Sequence, residues 1–392
     1  MKNTIRPDPD RKVPMSVAIS RPVIMPELVQ QHIDRATSLL PGYRAEGIIV
    51  FRRSNILAFC GVPLEPTDRL VCGIINADGR VAFVVPAFEA EQAATLPPGS
   101  EVATWEEHQD PYAAVATAVQ VIGLDSAALL VDGHMWLSAR AALKAALPRA
   151  TLIDDTGLIE TVRIRKSDEE VSAIRAACED TGRIYPLVAQ RLRPGVTESE
   201  LAREVIDTLQ RAGVSPHGEL IQGGENASIP HVPTGSRRFV NGDSVIVDFV
   251  AERDSYLGDM TRTFAVGQPS EVLVQAYTAV REAQRAAIKA IRPGVECQEI
   301  DRIARDVIEN AGFGGYFTHR LGHGIGIDVH EPPYLVRGNA LKLQPGMCMT
   351  VEPGVYVPGR FGVRIEDVVA VTDTGCEVLS NAVATDMSEA LR

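Results

Sequence analysis

His319-Arg-Leu-Gly-His-Gly-Ile-Gly-Ile-Asp-Val-His-Glu-Pro-Pro333 is the stretch from which the rest of the chain is read. It holds three of the chain's eight histidines, His319, His323 and His330, and glycines at 322, 324 and 326 surround the middle one. Glycine lets a backbone approach a neighbouring group closely and take up positive φ. A histidine set among such glycines, with two more histidines nearby, is a candidate metal ligand. A surface loop or a glycine-rich phosphate turn would look similar in isolation. The stretch lacks the lysine of a P-loop and the strand-first layout of a dinucleotide fingerprint. The carboxylates on either side of it tip the reading towards a metal.

Four acids stand in or beside strand-like apolar runs. Asp248 interrupts the run from 243 to 250, and Asp259 precedes the run from 261 to 266. Glu352 ends the run from 346, and Glu366 lies inside the run from 362 to 369. A buried carboxylate is costly unless it is paired or bound to a metal. Any one of these alone reads as a salt bridge or an edge position. Pooled with His323, they make one oxygen-rich site with a single imidazole, which suits Mn²⁺, Co²⁺, Fe²⁺ or Zn²⁺. Two such ions about 3.5–4 Å apart, bridged by carboxylates, form a known device for hydrolysing peptides and phosphate esters. A bridging water becomes a nucleophile at neutral pH, and the metals polarise the carbonyl.

Nearer the N-terminus the chain shows no such constellation. Residues 1 to about 25 read as a loose arm. Leu28, Ile33, Ala36, Leu39 and Leu40 recur at helical spacing. Short β-rich runs follow at 47–51, 69–75 and 80–85, with Asn76-Ala-Asp-Gly79 as a hairpin turn between the last two. Helices are expected near 87–95, 110–122 and 135–147, and a strand at 127–131. His32, His108 and His134 stand singly there and read as structural, as does His217 further on. This predicts a small N-terminal α/β domain, residues 1–157, and a second domain over 158–392. In the second, Ser167-Asp-Glu-Glu170 caps a helix expected to run to about 190, and Thr197-Glu-Ser-Glu200 caps another. Pro194-Gly-Val and Pro293-Gly-Val both introduce helices and hint at a duplicated unit.

At 392 residues, two domains are the natural expectation. A net charge of −12 argues against a nucleic-acid partner. The six cysteines are scattered with no C-x-x-C pair, which argues against a structural zinc site or a disulfide framework. The N-terminus has no apolar segment of the secretory kind, and no run is long enough to span a membrane. A cytoplasmic enzyme with a small substrate is therefore expected.

Asp248, then Gly258-Asp-Met-Thr-Arg-Thr-Phe264, Gly322-His-Gly-Ile-Gly326 with His330-Glu-Pro-Pro333, Thr350-Val-Glu-Pro-Gly354 and Gly362-Val-Arg-Ile-Glu-Asp367 together resemble the pita-bread metallopeptidases. That family includes prolidase, aminopeptidase P, methionine aminopeptidase and creatinase. The resemblance spans about residues 156–385 and extends more weakly to a creatinase-like N-terminal domain. It implies an α+β chain whose C-terminal part has the pita-bread fold. It implies two divalent metal ions (Mn, Co, Zn or Fe), with Asp248 holding one, Asp259 and Glu366 bridging both, and His323 and Glu352 completing the second. It further implies that His231 and His330 bind substrate and take part in catalysis, His330 by steadying the oxyanion. Glu352 would shuttle a proton, Arg364 would support the acids from behind, and His319 would be a further substrate-binding histidine. A homodimer acting on small peptides is implied.

The added N-terminal domain and the His-Glu-Pro-Pro-Tyr stretch favour the Xaa-Pro branch. The expected activity is that of an Xaa-Pro dipeptidase (prolidase). The alternatives are aminopeptidase P, acting on longer peptides, and a non-peptidase hydrolase of small amides. Creatinase-like members work without the metal set, and non-catalytic relatives commonly lose ligands, whereas every ligand is present here. The chain departs from many relatives at Val250, Arg253 and Gly258, where glycine, an aromatic and serine are usual. Some prolidases carry arginine four residues after the histidine matching His330; here that residue is Tyr334, and the nearest arginine following it is Arg337.

Overall fold

The computed structural model describes residues 24–64 and 66–380; the expected N-terminal arm lies almost wholly outside them. Helices α1 (Pro26–Leu39), α2 (Arg53–Cys60), α3 (Pro111–Val121), α4 (Leu137–Ala146) and α5 (Leu158–Arg163) surround a sheet in the N-terminal half. Its strands are β1 (Gly47–Val50), β2 (Cys72–Asn76), β3 (Val81–Pro86), β4 (Glu101–Trp105), β5 (Ala128–Val131) and β6 (Thr151–Asp154). They form one mixed sheet in the order β4-β3-β2-β1-β5-β6, with the expected β2–β3 hairpin antiparallel. Both faces of β1 to β3 are buried, which explains apolar runs without alternation. The stretch expected as a helix at 87–95 is a 3₁₀ turn series, and α2, β4 and β6 are elements the sequence reading did not mark.

The C-terminal half begins with α6 (Asp168–Gly182), α7 (Ile184–Arg191) and α8 (Glu198–Arg211). Ser167 and Thr197 make the expected capping boxes. The single helix expected over 168–190 is broken at Arg183. Pro186 has no N–H to give to the Gly182 carbonyl, so the α6 ladder cannot continue. There follow β7 (Ser215–Gly223), β8 (Ser244–Arg253), β9 (Tyr256–Ala265), α9 (Glu271–Ala290), α10 (Cys297–Asn310), β10 (Gly322–Gly324), β11 (Glu331–Leu335), β12 (Cys348–Val351), β13 (Gly354–Val357), β14 (Phe361–Arg364), β15 (Asp367–Val371) and β16 (Cys376–Val378). They make a three-stranded sheet β7-β8-β9, a five-stranded sheet β11-β10-β12-β15-β16 and the hairpin β13-β14.

The suspected duplication is visible bond for bond. Gly195 N–H donates to Phe239 and Gly294 N–H to Leu343, both at 2.8 Å. Phe239 N–H returns to Val196 at 2.9 Å and Leu343 N–H to Val295 at 2.8 Å. Further on, Gly242 donates to Val266 at 2.7 Å and Gly346 to Val371 at 2.9 Å. Strands β8 and β12 therefore start at equivalent points, and Asp248 and Glu352 stand equally far beyond those starts. The sheets of the two halves carry their acids towards each other.

One apolar cluster runs from α1, α2 and the N-terminal sheet through Ile159 and Val162 to Ile174, Leu257, Ile325 and Val368. The two halves thus share a core. Among the described residues no helix is long and apolar enough to cross a membrane.

Candidate metal centre and active site

Strand register assembles the first half of the site. Asp248 on β8 lies opposite Thr261 on β9, and Asp259 is two residues before Thr261. Side chains alternate along a strand, so Asp248, Thr261 and Asp259 share one face. The strand expected over 362–369 is interrupted after Arg364, where Glu366 leaves the ladder and bridges to Thr261. Its N–H donates to the Thr261 carbonyl at 3.0 Å, and the Thr261 hydroxyl donates to Glu366 Oε2 at 2.6 Å. The break in the strand is what delivers this carboxylate to the other acids.

The glycine-rich stretch supplies the imidazole. A Cβ on Gly322 would lie 2.0 Å from the Thr350 carbonyl oxygen, so only glycine lets β10 lie this close to β12. The Thr350 hydroxyl accepts from the His323 N–H at 3.1 Å and donates to Glu352 Oε1 at 3.1 Å. His323 Nε2 then stands 3.2 Å from Glu352 Oε1 and 3.8 Å from Asp259 Oδ2. Oxygens of Asp259 and Glu366 and a ring nitrogen of His323 lie within 4.8 Å of one another. Asp248, Asp259, His323, Glu352 and Glu366, far apart in the sequence, converge.

Arg364 is 2 % exposed and fully engaged. Its guanidinium donates to Asp248 Oδ2 at 2.7 Å, to the Tyr356 hydroxyl at 2.8 Å and to the Thr261 hydroxyl at 3.2 Å. Tyr356 in turn meets His319 Nε2 at 2.9 Å, while His319 Nδ1 meets the Arg320 carbonyl at 2.7 Å. That carbonyl can only accept, so Nδ1 carries the proton and Nε2 accepts from tyrosine. Burial, opposed by Glu352, lowers the His319 pKa and keeps the ring neutral. Both its nitrogens are used inside the protein.

His330 packs edge-on against His323 with ring centroids 4.2 Å apart. Burial, with the charges of His323 and Arg320, lowers its pKa to about 4. His231 is exposed, on the segment between β7 and β8. Gln222 holds that segment by donating to the carbonyls of Ile229 and Val232 at 3.2 and 2.7 Å. The buried carboxylate of Glu198 accepts from the Gly223 and Gly235 N–H groups at 2.7 and 2.9 Å. Thr261, Thr350, Tyr356, Gln222 and Glu198 were not singled out from the sequence. The two threonines lie inside the quoted motifs, which is the signal that could have found them; the others leave none.

The donor set fits a divalent cation. Asp259 Oδ1 is buried and has no hydrogen-bond partner. Burial, and then the charge of Asp248, push the Asp259 carboxyl well above the usual range. Burial and the charge of Asp259 do the same to Glu366. Among the described residues, Arg364 is the guanidinium that pairs with these four acids, and hard oxygen donors with one imidazole are what a divalent transition ion takes.

Residues 172–373 match the family model for metallopeptidase family M24, and residues 32–165 match that of the creatinase/prolidase N-terminal domain. The chain belongs to metallopeptidase family M24. A probable dipeptidase PepE of Mycobacterium bovis is 36 % identical over 340 residues, which is 86 % of this chain and 90 % of that protein. The crystal structure of dipeptidase PepE from Mycobacterium ulcerans superposes with a TM-score of 0.85 at 33 % identity, covering 93 % of this chain and 98 % of that one. An Xaa-Pro dipeptidase from Bacillus anthracis superposes at 0.82 with 30 % identity, covering 91 % and 98 %. This M24 chain is thus a metal-dependent peptidase with a creatinase-like N-terminal domain and a pita-bread C-terminal part, as the motifs implied.

One of its departures has a local cause. At Gly258 a Cβ would lie 2.4 Å from backbone atoms of Ala177 and Cys178, so α6 leaves no room for serine. On Tyr334 rests Arg320, whose guanidinium lies 4.5 Å from the tyrosine ring centroid. Arg337 instead lines a separate surface cavity with Glu296 and Arg302.

Proposed function

We propose that the protein is an Xaa-Pro dipeptidase using two divalent metal ions, held by Asp248, Asp259, His323, Glu352 and Glu366. The meeting of Asp259, His323 and Glu366 within 4.8 Å, with Asp259 Oδ1 unpartnered, Glu352 3.2 Å from His323 and Asp248 on the same sheet face as Asp259, carries the reading. When bound, the ions supply a water that is nucleophilic at neutral pH and polarise the scissile carbonyl. Neutral His330 donates a hydrogen bond to that carbonyl oxygen as negative charge develops on it. Glu352 takes up a proton and gives it to the proline nitrogen, which as a tertiary amide has no N–H of its own. His231, on its tethered segment, approaches substrate from the open side. His319 and Arg364 act through Tyr356 and Asp248, holding the acids in place.

The Xaa-Pro dipeptidase among the structural relatives supports the proline preference. The same reading divides the chain at 157/158. Six unpaired cysteines support a reducing, cytoplasmic setting. The exposed Trp136, Leu137 and Phe88 of the N-terminal half support a homodimer.

Proline release from Met-Pro and Ala-Pro, with Mn²⁺ or Co²⁺ and after chelator treatment, tests the proposal, with Met-Pro-Ala beside them. Rapid metal-dependent cleavage of the dipeptides and slow cleavage of the tripeptide is expected. A fast tripeptide would reassign the enzyme to aminopeptidase P. Inertness towards all three, in protein shown to hold metal, would move the search to other small amides.

A further inference from the structure

The guanidiniums around the site are neutralised, with one exception. Arg364 meets Asp248 at 2.7 Å, Arg163 meets Asp328 and Glu331 at 2.8 and 2.6 Å, and Arg52 meets Asp328 at 3.0 Å. Among the described residues, half-buried Arg320 makes neither an ion pair nor a side-chain hydrogen bond. It rests on the ring of Tyr334, 4.5 Å from the centroid. Tyr334 faces His323 across the β10–β11 ladder, so its ring rises on the same side as that imidazole. The charge of Arg320 acts on His330. The site therefore has two electrical sides, a cluster of acids and a rim of imidazoles around an uncompensated guanidinium.

We propose that Arg320 is a specificity-determining residue that receives the free carboxylate of a dipeptide substrate. The inference rests on the dipeptidase reading. In a dipeptide the carboxylate carbon lies only about 2.5 Å from the scissile nitrogen, two bonds away. Its anchor must therefore stand close to the group that meets the scissile carbonyl; Arg320 stacks on Tyr334, which pairs with His323, the ring that His330 packs against. A guanidinium fork takes both carboxylate oxygens, and an aromatic ring under it fixes its plane. A longer peptide presents at the same place an uncharged amide, which offers Arg320 one carbonyl oxygen and no charge.

Metal-loaded full-length enzyme is assayed on Ala-Pro and Ala-Pro-NH₂. The wild type is expected to favour the acid by about 10- to 100-fold in kcat/KM, the range a charge-assisted contact provides. Arg320→Met should erase that preference by raising KM for the acid while leaving the amide unchanged, and Arg320→Lys should keep part of it. Calorimetric titration of a reduced-bond Ala-Pro analogue and its amide reads the same preference without turnover, so absence of Xaa-Pro cleavage does not leave the anchor undecided. No preference for the acid in either measurement, or equal losses on acid and amide in Arg320→Met, overturns the proposal. Slow cleavage of Met-Pro-Ala together with an acid preference unmoved by Arg320→Met overturns the role of Arg320 alone. Fast cleavage of Met-Pro-Ala overturns the dipeptidase reading.

Discussion

Arg364 shows how much of the site hangs on single side chains. It is buried against Asp248, Thr261 and Tyr356, and no water can replace it cheaply. Arg364→Met leaves Asp248 without its partner, and breaking a buried pair costs about 3–5 kcal/mol. Metal affinity should fall by roughly 10- to 100-fold, as for other groups that orient a ligand. Metal titration by calorimetry and a thermal melt of the same sample check both; an unchanged affinity would show that the acids hold their positions unaided. A second residue carries a pH dependence far from the acids. Burial opposes ionisation of Glu170, but the ion pair with His32 at 3.3 Å, then the Ser167 N–H, outweigh it and lower the pKa from 4.5 to about 2. A carboxyl whose folded pKa is depressed contributes stability that is complete above the unfolded value and is lost as pH falls through the folded one. Its contribution of about 3 kcal/mol should therefore disappear between about pH 4.5 and pH 2. The melting temperature of the wild type should fall more steeply over that window than that of Glu170→Gln, and parallel curves would refute the assignment.

At the scale of elements, close approach rather than propensity decides what fits. α6 crosses β9 at Gly258, and Gly258→Ser would press a Cβ into the Ala177–Cys178 peptide. The strand carries Asp259 on the next residue, so the variant should lose thermal stability and metal affinity together; full retention of both would show that α6 can retreat. The acids at 248, 259, 352 and 366 were legible as candidates because a carboxylate in or beside an apolar run is anomalous. The helix entries at Ser167 and Thr197 were legible because their caps are local. What could not be read is whatever depends on a distant partner. The run from 362 to 369 looks like one strand, and only β9, a hundred residues earlier, makes Glu366 leave the ladder. Tyr356 has no local signature, since its task is to join Arg364 to His319. The Arg320–Tyr334 stack likewise depends on β10 meeting β11.

Across the whole molecule, the N-terminal half is joined to the active site through Arg163, at the end of α5 and just past the proposed 157/158 boundary. Its guanidinium donates to Asn55 and Ser54 at 2.7 and 3.3 Å on one side. On the other it donates to Asp328 and Glu331 at 2.8 and 2.6 Å, the acids that flank His330. Lys166 takes the second oxygen of Glu331 at 2.5 Å, and Arg52 takes the second of Asp328 at 3.0 Å. The segment bearing His330 is therefore gripped from both halves, in a core they share. Arg163→Met should do two separable things. It should lower the melting temperature, because Asp328 and Glu331 each lose one of two cationic partners, at a cost of about 1–3 kcal/mol. It should also lower kcat on Ala-Pro by roughly 10-fold or more with little change in KM, because a displaced imidazole loses the contact that strengthens in the transition state. Arg163→Lys, which keeps the charge and loses the fork, should recover more of the stability than of kcat. A melting temperature that drops while kcat of the folded enzyme stays at the wild-type value would mean that the clamp only joins the halves. A fall in kcat that persists at temperatures where the variant is fully folded would mean that the N-terminal half helps to set the position of His330.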